Sequence, residues 1–183
     1  MEEINERTNR VKKVVIIGPE STGKSTLASL LAKYYNTSWV PEYAREFIER
    51  LERPYIERDL RDIAKGQILA EDREEKHAKN VLICDTNLLV IKVWSEHKFG
   101  ACYEEIIEQV KTRKYDLYIL ANPDIPWKED PQREHPQMRE FFYDIYREEI
   151  KKSGVPYVEL TGEEFYFRKL MAVSAIDRLL RDS

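Results

Sequence analysis

The sequence is poor in cysteine, histidine and glycine, with two, three and six of each among 183 residues. Cys84 and Cys102 form no CxxC pair, and His77, His97 and His135 lack zinc-ligand spacing. A disulfide framework and a structural zinc site are both excluded on that pattern. Cys84 lies in an apolar run and reads as a small buried hydrophobe. Long hydrophobic runs are missing too. No segment approaches membrane-spanning length, and the opening MEEINERTNR has no apolar leader core. A reducing cytoplasm is the expected location, with no membrane partner. Nor does charge of one sign dominate. The net charge is −4, so no global field favours nucleic acid or an anionic surface, and no basic groove is visible. The expected partner is a small molecule, and the oligomeric state is open.

What is present is a balance of 42% hydrophobic and 35% charged residues, which is that of a globular chain. A chain of this length buries roughly 70% of its unfolded surface and needs no staple. The spacing predicts a frayed tail over residues 1–10 and a single domain over 11–183, with no repeat or linker.

Short apolar runs alternate with helical patterns. KKVVIIG (12–18) is a β-branched run suited to a strand buried on both faces. KSTLASLLAKYY (24–35) follows as a helix, with Leu27, Leu30, Leu31 and Tyr34 at helical spacing. A short strand at 38–40, a helix at 42–51 opened by Pro41, and a longer helix at 57–78 come next. Leu60, Ile63, Ala64 and Ile68 mark the apolar face of that longer helix, and most of its charged face reads as solvated. VLICDTN (81–87) is a second core strand, followed by helices at 88–99 and 103–113. YDLYILA (115–121) is a third. A helix at 137–152 ended by Gly154, a strand at 155–161 and a final helix carrying Leu170, Val173, Ile176 and Leu180 complete the chain. This alternation predicts an α/β fold: a three-layer parallel sheet with helices on both faces. Lid segments are expected near residues 50–75 and 123–140.

Residues 18–25 read GPESTGKS, the pattern G-x-x-x-x-G-K-[ST], between a strand and a helix. Gly18 and Gly23 let the backbone turn tightly, so that its N–H groups face phosphate oxygens at a helix N-terminus. Lys24 suits the terminal phosphates, the Ser25 hydroxyl suits Mg²⁺, and Thr26 is the next phosphate neighbour. The fold class is therefore that of the P-loop nucleoside triphosphate hydrolases, with ATP and Mg²⁺ as cofactors. A glycine turn that binds nothing is the alternative.

Mg²⁺ also calls for a carboxylate at the end of a neighbouring strand, where Asp85 stands after VLIC. Helix capping by Asp85 is the alternative. Glu42 opens the helix after the second strand and suits proton abstraction from a substrate hydroxyl. Arg45 is close enough in sequence to touch substrate or phosphate. Acids that merely complement the helix dipole are the alternative for Glu42. PWKEDPQREHPQMRE (126–140) sets Lys128, Arg133 and Arg139 among prolines, which suits a lid that stabilises transferring phosphate and excludes water. A surface loop of paired charges is the alternative. Tyr43, Trp94 and Trp127 are candidates to stack on a flat substrate ring, against ordinary aromatic packing.

The blocks GPESTGKSTLA, VPEYAREF, CDTNLLVIKVW and PDIPW resemble, in order and spacing over residues 13–160, the nicotinamide riboside kinase domain of the NadR family. The resemblance implies a P-loop kinase or AAA-like ATPase domain. It further implies transfer of the γ-phosphate of ATP, with Mg²⁺, to the 5′-hydroxyl of nicotinamide riboside. On that model Gly18, Glu20, Ser21, Thr22, Gly23, Lys24, Ser25 and Thr26 bind ATP. Glu42, Tyr43, Asp85 and Trp94 approach metal or substrate, and Arg133 belongs to the lid. The chain departs from the pattern at Asn87, a substrate-contact position where the family has a second Asp. NadR proteins also carry an adenylyltransferase domain and can carry a DNA-binding segment. With the loop beginning at residue 18, a stand-alone kinase is expected. Two other functions fit the residues: a kinase of another nucleoside or small metabolite, and a nucleotide-dependent regulatory ATPase or switch without an acceptor. A guanine-reading Asn-Lys-x-Asp motif is missing, since ANPD at 121–124 lacks the lysine.

Overall fold

The computed structural model describes residues 10–182; the tail expected over 1–10 lies outside the described residues except for Arg10. The β-branched run after it forms strand β1 (Lys12–Ile17), which is followed by helix α1 (Lys24–Tyr35). Strand β2 (Trp39–Val40) and helices α2 (Tyr43–Glu49) and α3 (Glu57–Glu75) come next. Strand β3 (Val81–Asp85) leads to α4 (Leu88–Phe99) and α5 (Glu104–Thr112). Strand β4 (Leu117–Ala121), α6 (Arg139–Ser153), β5 (Tyr157–Leu160) and α7 (Phe165–Arg181) finish the order.

The five strands form one parallel sheet in the order β2-β3-β1-β4-β5. Period-two alternation splits β1 between two cores. Val14 and Ile16 meet Leu27, Ala28 and Leu31 of α1 and Ala172 and Ile176 of α7. Val15 and Ile17 meet Val90 and Val93 of α4 and Phe142, Tyr146 and Ile150 of α6. A third cluster joins Ala44 of α2, Leu60 and Ile63 of α3, Leu88 and Ile91 of α4 and Ile106 of α5. Cys84 is fully buried, and burial pushes its thiol up.

Several expectations need correction. Residues 57–75 are no lid: α3 is packed into the third cluster. The part of its polar face that is not solvated holds Asp59, Gln67 and Glu71. Glu71 is fully buried and accepts from the guanidinium of Arg113 and the hydroxyl of Tyr115. Asp59 is buried, accepts the Ile56 N–H at 2.8 Å, and is gripped by both terminal nitrogens of Arg53. That guanidinium lowers the Asp59 carboxyl to about 2. In α1 the buried row is Leu27, Ala28, Leu31 and Ala32, while Tyr34 is exposed. In α7, Leu170 is likewise exposed, and the buried residues are Arg168, Ala172 and Ile176. Residues 86–87 leave β3: Thr86 turns to a φ of 63° and Asn87 caps α4. Among the described residues no helix is long and apolar enough to cross a membrane.

Candidate active site

Every strand of a parallel sheet ends on the same rim, and ligand crevices open there. β1, at the centre of the sheet, delivers residues 18–23 to that rim. Gly18 has a φ of +149°, and a Cβ on it would stand 2.6 Å from the carbonyl oxygen of Ala121 on β4. Gly23 has a φ of +78° and forms the N-cap of α1. The loop is drawn inward by Thr22 Oγ1 and Lys24 Nζ, which donate to the Pro19 carbonyl at 2.9 and 2.7 Å. Its cleft is lined by Gly18 and Glu20–Thr26, joined by Glu42, Arg45 and Ile48 from the α2 region. Thr86, Val90 and Trp94 close it from the β3–α4 side, and Gln132, Arg133 and Tyr146 from beyond β4.

Two carboxylates face this loop. Asp85, at the end of β3, is 1% exposed, and its Oδ1 has no hydrogen-bond partner. Burial pushes its carboxyl above the usual carboxylate range, against the pull of Lys24, the Ser25 hydroxyl and Arg45. Glu42 caps the N-terminus of α2. Burial, then the neighbouring Asp85 charge, push its carboxyl up to about 7, while Lys24 and Arg45 act the other way. Buried Asp85 and half-buried Glu42 repel each other, and a divalent cation would relieve that repulsion. The donor set fits Mg²⁺, a hard ion that takes oxygen ligands. It comprises an unsatisfied carboxylate oxygen and a hydroxyl, and it leaves room for phosphate oxygens. Among the described residues no cluster of three or more His, Cys, Asp or Glu could hold a metal by itself, so a cation here would need phosphate oxygens as further ligands.

The segment between β4 and α6, residues 122–138, crosses above the loop. Lys128 N–H donates to Ser21 Oγ at 2.8 Å, and Arg139 reaches the carbonyls of Ser21 and Ile125. Arg45 on α2 pairs with Asp130 at 2.5 Å. Arg133 lines the cleft and donates to the Lys128 carbonyl. Behind the cleft opens a second cavity. It shares Glu20, Ile48, Trp94 and Gln132 with the first and adds Tyr55, His97, His135 and Phe142 among its walls. Trp94 stands at the junction, its indole N–H turned to the Tyr146 hydroxyl.

The structure thus gathers Gly18, Glu20, Ser21, Thr22, Gly23, Lys24, Ser25, Thr26, Glu42, Arg45, Trp94 and Arg133 around one cleft, with Asp85 buried beneath it. Three candidates fall elsewhere. Tyr43 packs on Gly66 of α3, and its backbone N–H goes to Gln67 Oε1. Asn87 is 2% exposed; it donates to the Tyr118 hydroxyl and accepts the Leu89 N–H. Trp127 lies outside the cleft, its Nε1 on Glu129 and its ring near Arg133 and Arg139. Ile48, Thr86, Val90, Gln132 and Tyr146 also line the cleft and were not candidates from sequence. Only Thr86 carries a local mark, a β-branched residue at positive φ.

A parallel five-stranded sheet flanked by helices, with this loop on its central strand, defines the nucleoside and nucleotide kinase-like P-loop fold. A family model described as AAA domain matches residues 13–165, and the chain belongs to that family. It is 26% identical over 178 residues to the trifunctional NAD biosynthesis/regulator protein NadR of Escherichia coli (strain K12). That match covers 93% of this chain and 43% of the relative, so the chain spans less than half of the relative's length. A crystal structure of NadR protein in complex with NR superposes with a TM-score of 0.76 at 24% identity, covering 93% of this chain and 50% of that one. Thymidylate kinase from Ehrlichia chaffeensis superposes with a TM-score of 0.62 at 14% identity, covering 91% and 98%.

Proposed function

We propose that the chain is an ATP-dependent kinase that moves the γ-phosphate of Mg-ATP to the 5′-hydroxyl of nicotinamide riboside, giving nicotinamide mononucleotide. One observation carries the kinase reading: Glu42, raised to about 7, stands with Asp85 beside the Lys24 ammonium. A carboxyl of that acidity is matched to accept a hydroxyl proton at neutral pH. Lys24 and the backbone N–H groups of residues 18–25 hold the phosphates, and Ser25 and Asp85 hold the cation. Mg²⁺, held by Ser25 and Asp85, would neutralise phosphate charge there. Arg133, reaching over the cleft from residues 122–138, offsets charge on the phosphoryl group as it moves. That segment acts as a lid and keeps water from competing with the acceptor. The second cavity, walled by Trp94, Tyr55 and Phe142, suits the acceptor's flat ring.

The choice of acceptor leans on the likeness to NadR, both the curated relative and the structure in complex with NR. The test supplies Mg-ATP with a panel of nucleosides and weighs the products by mass spectrometry. Nicotinamide mononucleotide from nicotinamide riboside is the expected product. Preferred phosphorylation of another nucleoside would keep the kinase and change its acceptor. Equal ATP consumption with and without every acceptor would favour a regulatory ATPase and overturn the reading.

A further inference from the structure

The phosphate loop of this chain does more than face phosphate. Glu20 turns its carboxylate to the lid: one oxygen accepts the N–H of Glu134 at 3.2 Å, the other the N–H of His135 at 3.1 Å. Ser21 beside it sits at a φ of 58°, a region few non-glycine residues enter. That turn presents the Ser21 hydroxyl to Lys128 N–H and its carbonyl to Arg139. Two neighbouring residues of the loop therefore fasten the lid at Lys128 and at Glu134–His135, and hold the start of α6 at Arg139. Glu134 and His135 are themselves walls of the second cavity, whereas Lys24 and Ser25 line the first. Glu20 lines both.

We propose that Glu20 is a positioning residue that fastens the lid and thereby sets the acceptor-side wall. The inference rests on the kinase reading for its kinetic consequence, though not for the fastening itself. A carboxylate holding two adjacent backbone N–H groups makes charge-assisted bonds, stronger than neutral ones. Nothing else among the hydrogen bonds of the described residues takes the N–H of Glu134 or His135. Without the carboxylate these N–H groups turn to water, and the lid's far half loses its fixed distance from the loop. Acceptor binding then weakens more than ATP binding, because the loosened residues wall the acceptor's cavity. Water also enters more freely, so ATP is hydrolysed without transfer.

The test compares wild type with Glu20→Ala and Glu20→Asp; the second keeps the charge and shortens its reach. Hydrogen exchange is first read on the full chain with no ligand. The N–H groups of Glu134 and His135 should exchange about tenfold faster or more in both variants, matching loss of one charge-assisted bond. Those of β1 and β4 should not change, which also shows that the variants fold. The KM for nicotinamide riboside should rise about tenfold while that for ATP stays within about threefold, with more hydrolysis per transfer. Unchanged exchange at 134 and 135 would overturn the fastening, and so would an ATP KM that rises as far as the acceptor's. If no nucleoside is phosphorylated at all, the function proposed above fails, and the exchange result alone still decides the role of Glu20.

Discussion

Tyr43 lays its ring where a side chain on Gly66 would stand: a Cβ there would lie 1.9 Å from Cε1 and 2.2 Å from Cζ. Helix α2 thus sits closer to α3 than any other residue at 66 permits. Because Glu42 immediately precedes Tyr43, this contact also sets where the candidate base stands.

Gly66→Ala tests that relation. Alanine gains about 1 kcal/mol in helix propensity. Forcing the ring aside costs about 1–3 kcal/mol, so a net loss of stability is expected. Thermal unfolding should show a lower midpoint, and phosphoryl transfer should fall with it. A higher midpoint would mean that the ring moves freely and that α2 is loosely held.

Lys24→Ala should leave the fold intact with a modestly lower unfolding midpoint, since its Nζ bonds the Pro19 carbonyl of its own loop and its charge offsets those of Asp85 and Glu42. Transfer should fall by roughly 10²–10³-fold or more, the scale of losing one charge-stabilising donor. Undiminished turnover would remove residues 18–26 from the mechanism.

Glu42→Gln separates activity from stability through pH. The folded carboxyl titrates near 7 and the unfolded one near 4.5, so the folded state holds this proton more tightly. The resulting penalty on folding is absent below about 4.5, grows as pH climbs, and is complete above 7. The metal-free variant should therefore unfold at a higher temperature than wild type at pH 8 and at a similar one at pH 4.5, while transfer is lost. Equal midpoints at pH 8 would show that the Glu42 charge is not strained.

Asp85→Asn should raise the Mg²⁺ concentration needed for half-maximal transfer, because it removes the one buried carboxylate oxygen without a partner at the loop. A titration with Mg²⁺ at saturating ATP reads this directly. An unaltered requirement would remove Asp85 from the cation site; helix capping is no alternative role, because Asn87 caps α4.

Arg168→Ala tests a support that lies outside the chemistry. Arg168 is 1% exposed; it donates to the carbonyls of Gly162 and Asn122 at 2.6 and 2.9 Å and pairs with Asp124. It ties together the loops that follow β4 and β5, beside the Phe165 ring that flanks Gly23. Losing several charge-assisted bonds at once should cost at least about 2 kcal/mol, readable in urea unfolding. A smaller loss would mean that water replaces the guanidinium.

Most of the architecture was legible in the sequence because its signals are local. β-Branched runs such as VVII and VLIC are the mark of strands buried on both faces, and the loop between two glycines declares itself by spacing. The misreadings have local causes as well. Tyr34 and Leu170 share the helical spacing of buried neighbours yet are exposed, whereas α1 buries the small Ala28 and Ala32 where it lies close on the sheet. Within the candidate site, Gln132 and Tyr146 come from beyond β4, and no period in the sequence links them to Glu42. Asn87 was read for chemistry, although its short amide serves the first turn of α4. Glu71 was hidden for a different reason: a carboxylate amid a charged helix face looks solvated until its partner Arg113 arrives from α5's end.

The direction of the sheet divides the molecule into two unequal rims. All five strands run the same way, so the cleft, the lid and Arg168 share one side. The opposite rim holds the strand beginnings, where Arg10 and the backbone of Lys13 meet Asp116. A fluorophore, a surface tether or an affinity handle anchored on that side would stand a full strand length from the cleft. It would therefore report on or immobilise the protein without obstructing ligand entry.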